Sequence, residues 1–160
     1  MLTEDQRHQL IAKIRQIPSA LEAAVKGLNE AQLDTPYGEG KWKVRQVVHH
    51  LADSHLIAFA RTKQMLAEDE PKLFAYDQDE WAKTADSASA SPIAASLMIL
   101  RGVHERWALL LGALPESAWT RKGIHFRRGA MTLDDLLELY ARHGDNHIKQ
   151  IADLRSERGW

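Results

Sequence analysis

The chain of 160 residues contains no cysteine, which removes disulfides, thiolate nucleophiles and cysteine-based zinc sites at once. Long apolar runs are also missing: no stretch reaches the roughly 18 residues of a membrane span. Neither sign of charge dominates, with 21 Lys and Arg against 22 Asp and Glu for a formal net charge of −1. Without a basic tract, the electrostatic footprint of a nucleic-acid binder is absent. The opening residues, MLTEDQRHQL, begin on acids and lack the basic-then-apolar order of a signal peptide. The expectation is a cytoplasmic protein with neither nucleic-acid nor membrane partners. Aromatic residues are few, yet Trp contributes five against three Tyr and three Phe. Core and core-edge packing is the plainest use for them, with pockets or interfaces second.

What is present has helical spacing almost everywhere. Leu10, Ile11, Ile14 and Ile17 share a face behind a Thr3–Gln6 capping box, Pro18 is expected to interrupt, and a second run starts at Ser19. DTPYGEGKW reads as a loop, followed by one long helix from about Lys43 to Glu68. The longest connection, EDEPKLFAYDQDEWAKTADSASASP, holds a short helix around Gln78–Lys83 and a linker-like Ser/Ala-rich end. Ser91 and Pro92 read as N-cap and first residue of the next helix. TRKGIHFRRGAM is irregular or a short hairpin, and Thr132 with Asp135 caps a last helix running to about Arg155. Together these predict a single all-α domain over residues 1–160, a four-helix bundle with short extra helices.

Eight histidines remain to be placed. At about 100° per residue, Leu133, Leu136, Leu137, Tyr140, Ile151 and Leu154 cluster on one side of the last helix, with His143 and His147 in the same sector. Two imidazoles at i and i+4 therefore point inward one turn apart, close enough to share a metal ion. One inward His is usually a satisfied core residue; two neighbours are costly to bury without a strong partner. The motif is not HExxH, because residue 144 is Gly. The third ligand is sought in RQVVHHLADSH (Arg45–His55). Periodicity sets His55 in the middle of that helix's apolar stripe, His50 at its flank, and His49 largely facing away. It nominates His55 first and His50 second. Ser54 lies one turn from His50 and Tyr140 one turn before His143, so both are candidates to support a ligand. Asp145 points away from the two histidines of the last helix, and His8, His104 and His125 have no partner at ligand spacing.

Taken in order, GEGKWKVRQVVHHLADSH, LAEDEPKLFAYDQDEWA, SLMILRGVHERWALLLGAL and YARHGDNHIKQI resemble the DinB-like superfamily, and within it the YfiT group described as metal-dependent hydrolases. The likeness runs from about Thr35 to Ile151. It implies a four-helix bundle and one divalent metal per chain, zinc or nickel, held by three histidines near one end. The family's first ligand precedes a Leu-Ala pair, here His50; the other two form H-x-x-x-H, here His143 and His147. His55 then becomes a pocket residue or a support behind the ligands. The resemblance also places Trp42 and Tyr76 at the cleft and implies a homodimer. Asn146 before His147 and Lys149–Gln150 after it depart from the YfiT pattern, so the ligands carry over and the substrate does not.

Three neutral imidazoles leave a divalent ion's charge uncompensated and one position open, the catalytic rather than the structural zinc pattern. Such an ion brings the pKa of bound water from 15.7 to about 7, or deprotonates a small thiol. Hydrolysis of a small-molecule substrate is the expected chemistry. Transfer of a low-molecular-weight thiol co-substrate to an electrophile, which some DinB-like relatives perform, is the alternative. A non-catalytic metal-binding stress-response module is the third reading, and the ligand set alone does not separate the three.

Overall fold

In the computed structural model, which describes residues 1–88 and 90–160, most helix ends follow the local sequence signals. Ser89, in the stretch read as linker-like, lies outside the described residues. Capping boxes at Thr3/Gln6 and Thr132/Asp135 open α1 (Glu4–Val25) and the last helix, α7 (Leu133–Arg158). Between them lie α2 (Glu30–Leu33), α3 (Val44–Ala67), α4 (Gln78–Trp81), α5 (Ala85–Ala88) and α6 (Ala94–Gly112). The segment expected to be irregular or a hairpin is a hairpin, β1 (Lys122–His125) paired antiparallel with β2 (Gly129–Thr132).

Two helix boundaries differ from expectation. Pro18 does not interrupt α1, because Ile11, Ile14, Ile17, Leu21 and Val25 form one buried stripe on both sides of it. Each such side chain contributes roughly 1.5–3 kcal/mol when buried, which outweighs the ~3 kcal/mol of an interior proline. Pro18 has no N–H, so the Ile14 carbonyl lacks its usual donor four residues on. The Ser91–Pro92 pair does not cap α6, whose N-cap is Ile93 without a side-chain bond. The Ser91 carbonyl instead accepts from Arg45 Nη1 at 2.6 Å, and its hydroxyl donates to the Ala85 carbonyl.

Helix directions follow from cross-contacts. Lys13 meets Asp145 and Arg7 meets Asp134, so α1 and α7 run parallel. His49 meets Ser96, His55 meets His104 and Thr62 meets Trp107, so α3 and α6 are parallel too. Glu22 pairs with Arg101 and Arg7 with Glu116, which sets α1 against α6. Along the chain the order is up, down, down, up. The parallel neighbours α3 and α6 cannot be joined by a tight turn, and residues 68–93 form the long crossover this requires. The crossover is pinned to β1 by Leu73 N–H to the Ile124 carbonyl and Ile124 N–H to the Pro71 carbonyl. Among the described residues, no helix is long and apolar enough to cross a membrane.

Gly144 shows how closely α1 and α7 approach. A Cβ there would lie 2.9 Å from Ile17 Cγ1 and closer still to its Cδ1, in a side chain that is 1% exposed. In an exposed helix Gly→Ala is worth about 1 kcal/mol of added stability. Here Gly144→Ala is expected to lower stability by about 1–3 kcal/mol through overpacking, read as a fall in the denaturation midpoint. A rise in the midpoint would contradict the packing described.

Candidate metal centre

His50 on α3 and His143 and His147 on α7 turn ring nitrogens toward one point, with one nitrogen of each within 4.8 Å of the others. The Nε2 atoms of His50 and His143 are 3.2 Å apart. Two nitrogens on one tetrahedral zinc, at about 2.0–2.1 Å each, would be separated by about 3.3 Å. The three rings meet edge to face, with centroids 4.6–5.2 Å apart, so nitrogens converge rather than ring faces. Trp42 borders this point, 4.6 Å from the His50 ring and 6.4 Å from His147, on which it stacks. The loop before α3 delivers it: Tyr37 N–H donates to the Trp42 carbonyl at 3.1 Å, and Gly40 takes the left-handed φ of 65° that closes the turn.

The protons of two of these rings are fixed by what stands behind them. His104 Nδ1 contacts the Ile14 carbonyl, the one left without its helical donor by Pro18. A carbonyl only accepts, so His104 must carry its proton on Nδ1. Its Nε2 is then an acceptor and takes the Nδ1–H of His55 at 2.9 Å. His55 Nε2 in turn accepts the Nδ1–H of His143 at 3.1 Å. The direction of the whole line is set at Ile14, and its outcome is a His143 Nε2 lone pair aimed at the triad. His147 reaches the same state separately, its Nδ1 donating to Gln150 Oε1 at 2.8 Å. Buried imidazoles must be neutral for this, and burial ensures it: His143 is depressed to about 3 and His104 to about 4. His50 is pushed down to about 2, by burial first and then by its two partner histidines. A set of neutral donors with lone pairs facing one point fits a divalent transition ion.

The other expected residues are partly rearranged. His55 is fully buried and touches the triad only through His143 Nδ1, so it stands behind the ligands rather than among them. Periodicity ranked it first because the middle of the α3 stripe points at the core between α6 and α7, whereas His50 at the flank faces α7 alone. His49 does not face away: it is buried, with Nδ1 2.8 Å from Ser96 Oγ on α6 and Nε2 without a partner among the described residues. Ser54 lies between the phenols of Tyr76 and Tyr140 rather than against His50. Tyr140 accepts from Arg61 Nη1 at 2.7 Å and packs edge to face with His143, ring centroids 5.8 Å apart. Asp145 pairs with Lys13 at the surface. His104 and Gln150 carry roles that sequence reasoning did not assign; Gln150 was legible as a partner at i+3 from His147, while His104 was not.

The profile of the DinB superfamily matches residues 13–151. The chain belongs to the DinB superfamily. A protein of Geobacillus thermodenitrificans (strain NG80-2) named "Putative metal-dependent hydrolase" is 50% identical over 154 residues, spanning 94% of this chain and 84% of that protein. "Putative metal-dependent hydrolase YfiT" of Bacillus subtilis (strain 168) is 38% identical over 160 residues, 99% of this chain and 89% of its own. The solved structure of Bacillus subtilis YfiT, described as "a probable metal-dependent hydrolase with an unusual four-helix bundle topology", matches with a TM-score of 0.96 at 37% identity, covering 100% of this chain and 91% of that one. The YfiT-like bundle expected from the sequence is therefore the fold observed, with the small hairpin added to its helices.

Two outcomes follow from this arrangement. Replacing His104 by Phe removes the carbonyl-anchored donor and frees His55 and His143 to take the wrong tautomer. Zinc affinity is expected to weaken about 10–100-fold, measured by competition with a chromophoric chelator, while far-ultraviolet dichroism is retained. Unchanged affinity would show that the line does not orient His143. The second outcome concerns acid. Unfolding returns each buried His to about 6.5, so below that pH the unfolded chain of the metal-free protein binds more protons than the folded one. Stability then falls as pH drops, by up to about 1.4 kcal/mol per pH unit for each His. The urea midpoint at pH 5.5 should lie well below that at pH 7.5, and His104→Phe should flatten the dependence.

Proposed function

We propose that this protein is a metal-dependent hydrolase of a small-molecule substrate, with His50, His143 and His147 as ligands of one zinc or nickel ion. The observation that carries this reading is the pair of fixed tautomers, His143 through His55 and His147 through Gln150, which turn Nε2 lone pairs toward His50. The names of the relatives support it. A divalent ion at such a site supplies Lewis acidity, enough to ionise water near neutral pH or to polarise a carbonyl oxygen. The chain itself supplies position and proton control. Trp42 packs against His50 and His147 and, with His147 and Asp79, lines a second cavity that reaches the triad. Burial raises the phenols of Tyr140 and Tyr76, so both remain protonated donors on the cleft beside His143.

One observation favours thiol S-transfer as a second reading. Among the described residues, the wall of the cleft beside His143 contains no Asp or Glu, so no carboxylate base is in place on that side for water. A thiol, which must be supplied from outside because the chain has no cysteine, starts from a pKa near 8.5 rather than 15.7, so a bound divalent ion would ionise it fully where it brings water only to about 7.

The protein as purified is expected to hold close to one transition-metal ion per chain, and His147→Ala to lose most of it, by elemental analysis. Metal-loaded protein is then assayed on activated esters without thiol, and on a chloro-dinitro-arene with and without small thiols. Ester hydrolysis that needs no thiol and is lost in His143→Ala supports the hydrolase. Product that requires both thiol and metal, without hydrolysis, moves the assignment to the transferase. Metal binding with silence in both assays favours the non-catalytic module.

A further inference from the structure

Three arginines of this chain are buried, and they are not treated alike. Arg7, 4% exposed, pairs with both Asp134 and Glu116; Arg45, at 0%, pairs with both Asp34 and Glu30. Arg61 is 2% exposed and forms no ion pair with any carboxylate among the described residues. Its Nε and Nη2 donate to the Phe74 carbonyl, and its Nη1 to the Tyr140 hydroxyl at 2.7 Å. A guanidinium has five N–H bonds. The three bonds to protein leave one N–H on each terminal nitrogen, two donors of the kind that an oxyanion accepts from. A buried charge without a counter-charge is costly, and the same chain neutralises its other two twice over.

Arg61 lies in the wall of a cleft of about 380 Å³ that also includes His143, Tyr140, His125, Arg127 and Arg128. That volume falls in the range of small-molecule sites. Among the described residues, three arginines and no acid line this space, in a chain whose formal net charge is −1. Arg127 and Arg128 are exposed, on the turn joining β1 to β2, and neither forms an ion pair among the described residues. His125, in the same wall, is depressed to about 4, by burial first and then by the charges of Arg61, Arg128 and Arg127. Tyr140, which Arg61 holds, sits one helical turn, about 5 Å, before His143 on α7.

We propose that this cleft binds an oxyanion, a carboxylate or a phosphate, carried by the small molecule whose reacting end lies at the triad. Arg61 is the two-point donor at the floor, and Arg127 and Arg128 supply attracting charge at the rim. The molecule is compact, its charged group about a turn of helix from its reactive atom. The proposal rests on the reading of the triad cleft as a substrate site, but its test needs neither turnover nor a bound metal.

Calorimetric titration of the purified protein, with and without zinc, compares glutarate, its neutral diamide glutaramide, and propyl phosphate. Glutarate or propyl phosphate is expected to bind at least tenfold more tightly than glutaramide at low salt, and the tighter of the two identifies which oxyanion the cleft prefers. Arg61→Gln should bring the anion down to the level of the amide. Arg128→Gln, on an exposed turn where folding is not at stake, should weaken it at least threefold and leave metal content unchanged. Equal binding of anion and amide by the wild-type protein overturns the proposal. So does a preference that survives Arg61→Gln and Arg128→Gln but is lost in His147→Ala, which would place the anion on the metal ligands. Loss of metal binding with the preference intact would instead remove the hydrolase reading and leave the anion site standing.

Discussion

The candidate metal centre depends on a hydrogen bond that Pro18 makes available. Inside a regular helix the Ile14 carbonyl would be spent on the N–H of residue 18, and proline has none. The carbonyl is instead free to take the Nδ1–H of His104 from across the bundle. Because an amide oxygen cannot donate, that single bond gives direction to three imidazoles in series. Without such an end point, the line from His104 to His143 could run either way, and in half of its states His143 would present N–H rather than a lone pair to the triad. A residue that costs helix stability in α1 thus sets the proton on a ring in α7.

The up-down-down-up order of the long helices makes this line geometrically available. Parallel running of α3 and α6 brings His55 level with His104, and the opposite running of α1 brings Ile14 to the far side of His104. Gly144 lets α7 settle against Ile17, one turn of α1 beyond Ile14, so His143 and His147 stand close to the core rather than above it. The same topology demands the long crossover. Its Phe74 carbonyl holds Arg61, and its Tyr76 faces Ser54, so the chain that solves a connection problem also walls the cleft.

Local features were well legible in the sequence, and relations between helices were not. The two capping boxes, the limits of α3, and the inward pairing of His143 with His147 follow from spacing alone, and the structure shows each of them. Periodicity favoured His55 over His50 because it measures distance from a stripe's centre and knows nothing of which neighbour lies at the stripe's edge. His49 was misplaced for the same reason, since α3 is covered on more than one side. Pro18 reads as a break when only local propensity is weighed, and as a tolerated defect once five buried side chains are counted. His104 could not be assigned from spacing at all: its role requires knowing that α1, α3 and α6 meet at one level. Arg61 shares a face with His50 and Ser54 at eleven- and seven-residue offsets, a signal that was present and easily mistaken for an exposed charge.

The direction of the imidazole line also limits what it can do. A proton wire needs an acceptor at its far end, with groups that can pass a proton on and reset. This line ends in an amide carbonyl, which has no proton to give and no useful basicity with which to keep one. Burial further disfavours the charged form of every ring along it, with His55 held well below its ordinary range. Protonating His143 on Nδ1 changes nothing, because that proton is already there, and protonating Nε2 would remove the lone pair the triad requires. The line therefore orients and polarises a ligand; it does not carry protons away from the site. Protons consumed or released in any reaction there travel instead through the open sides of the site, the cleft lined by Tyr140, Tyr76 and the arginines and the cavity beside His147 lined by Trp42 and Asp79. The buried side of the triad fixes geometry, and the exchange of matter and charge is left to the open side.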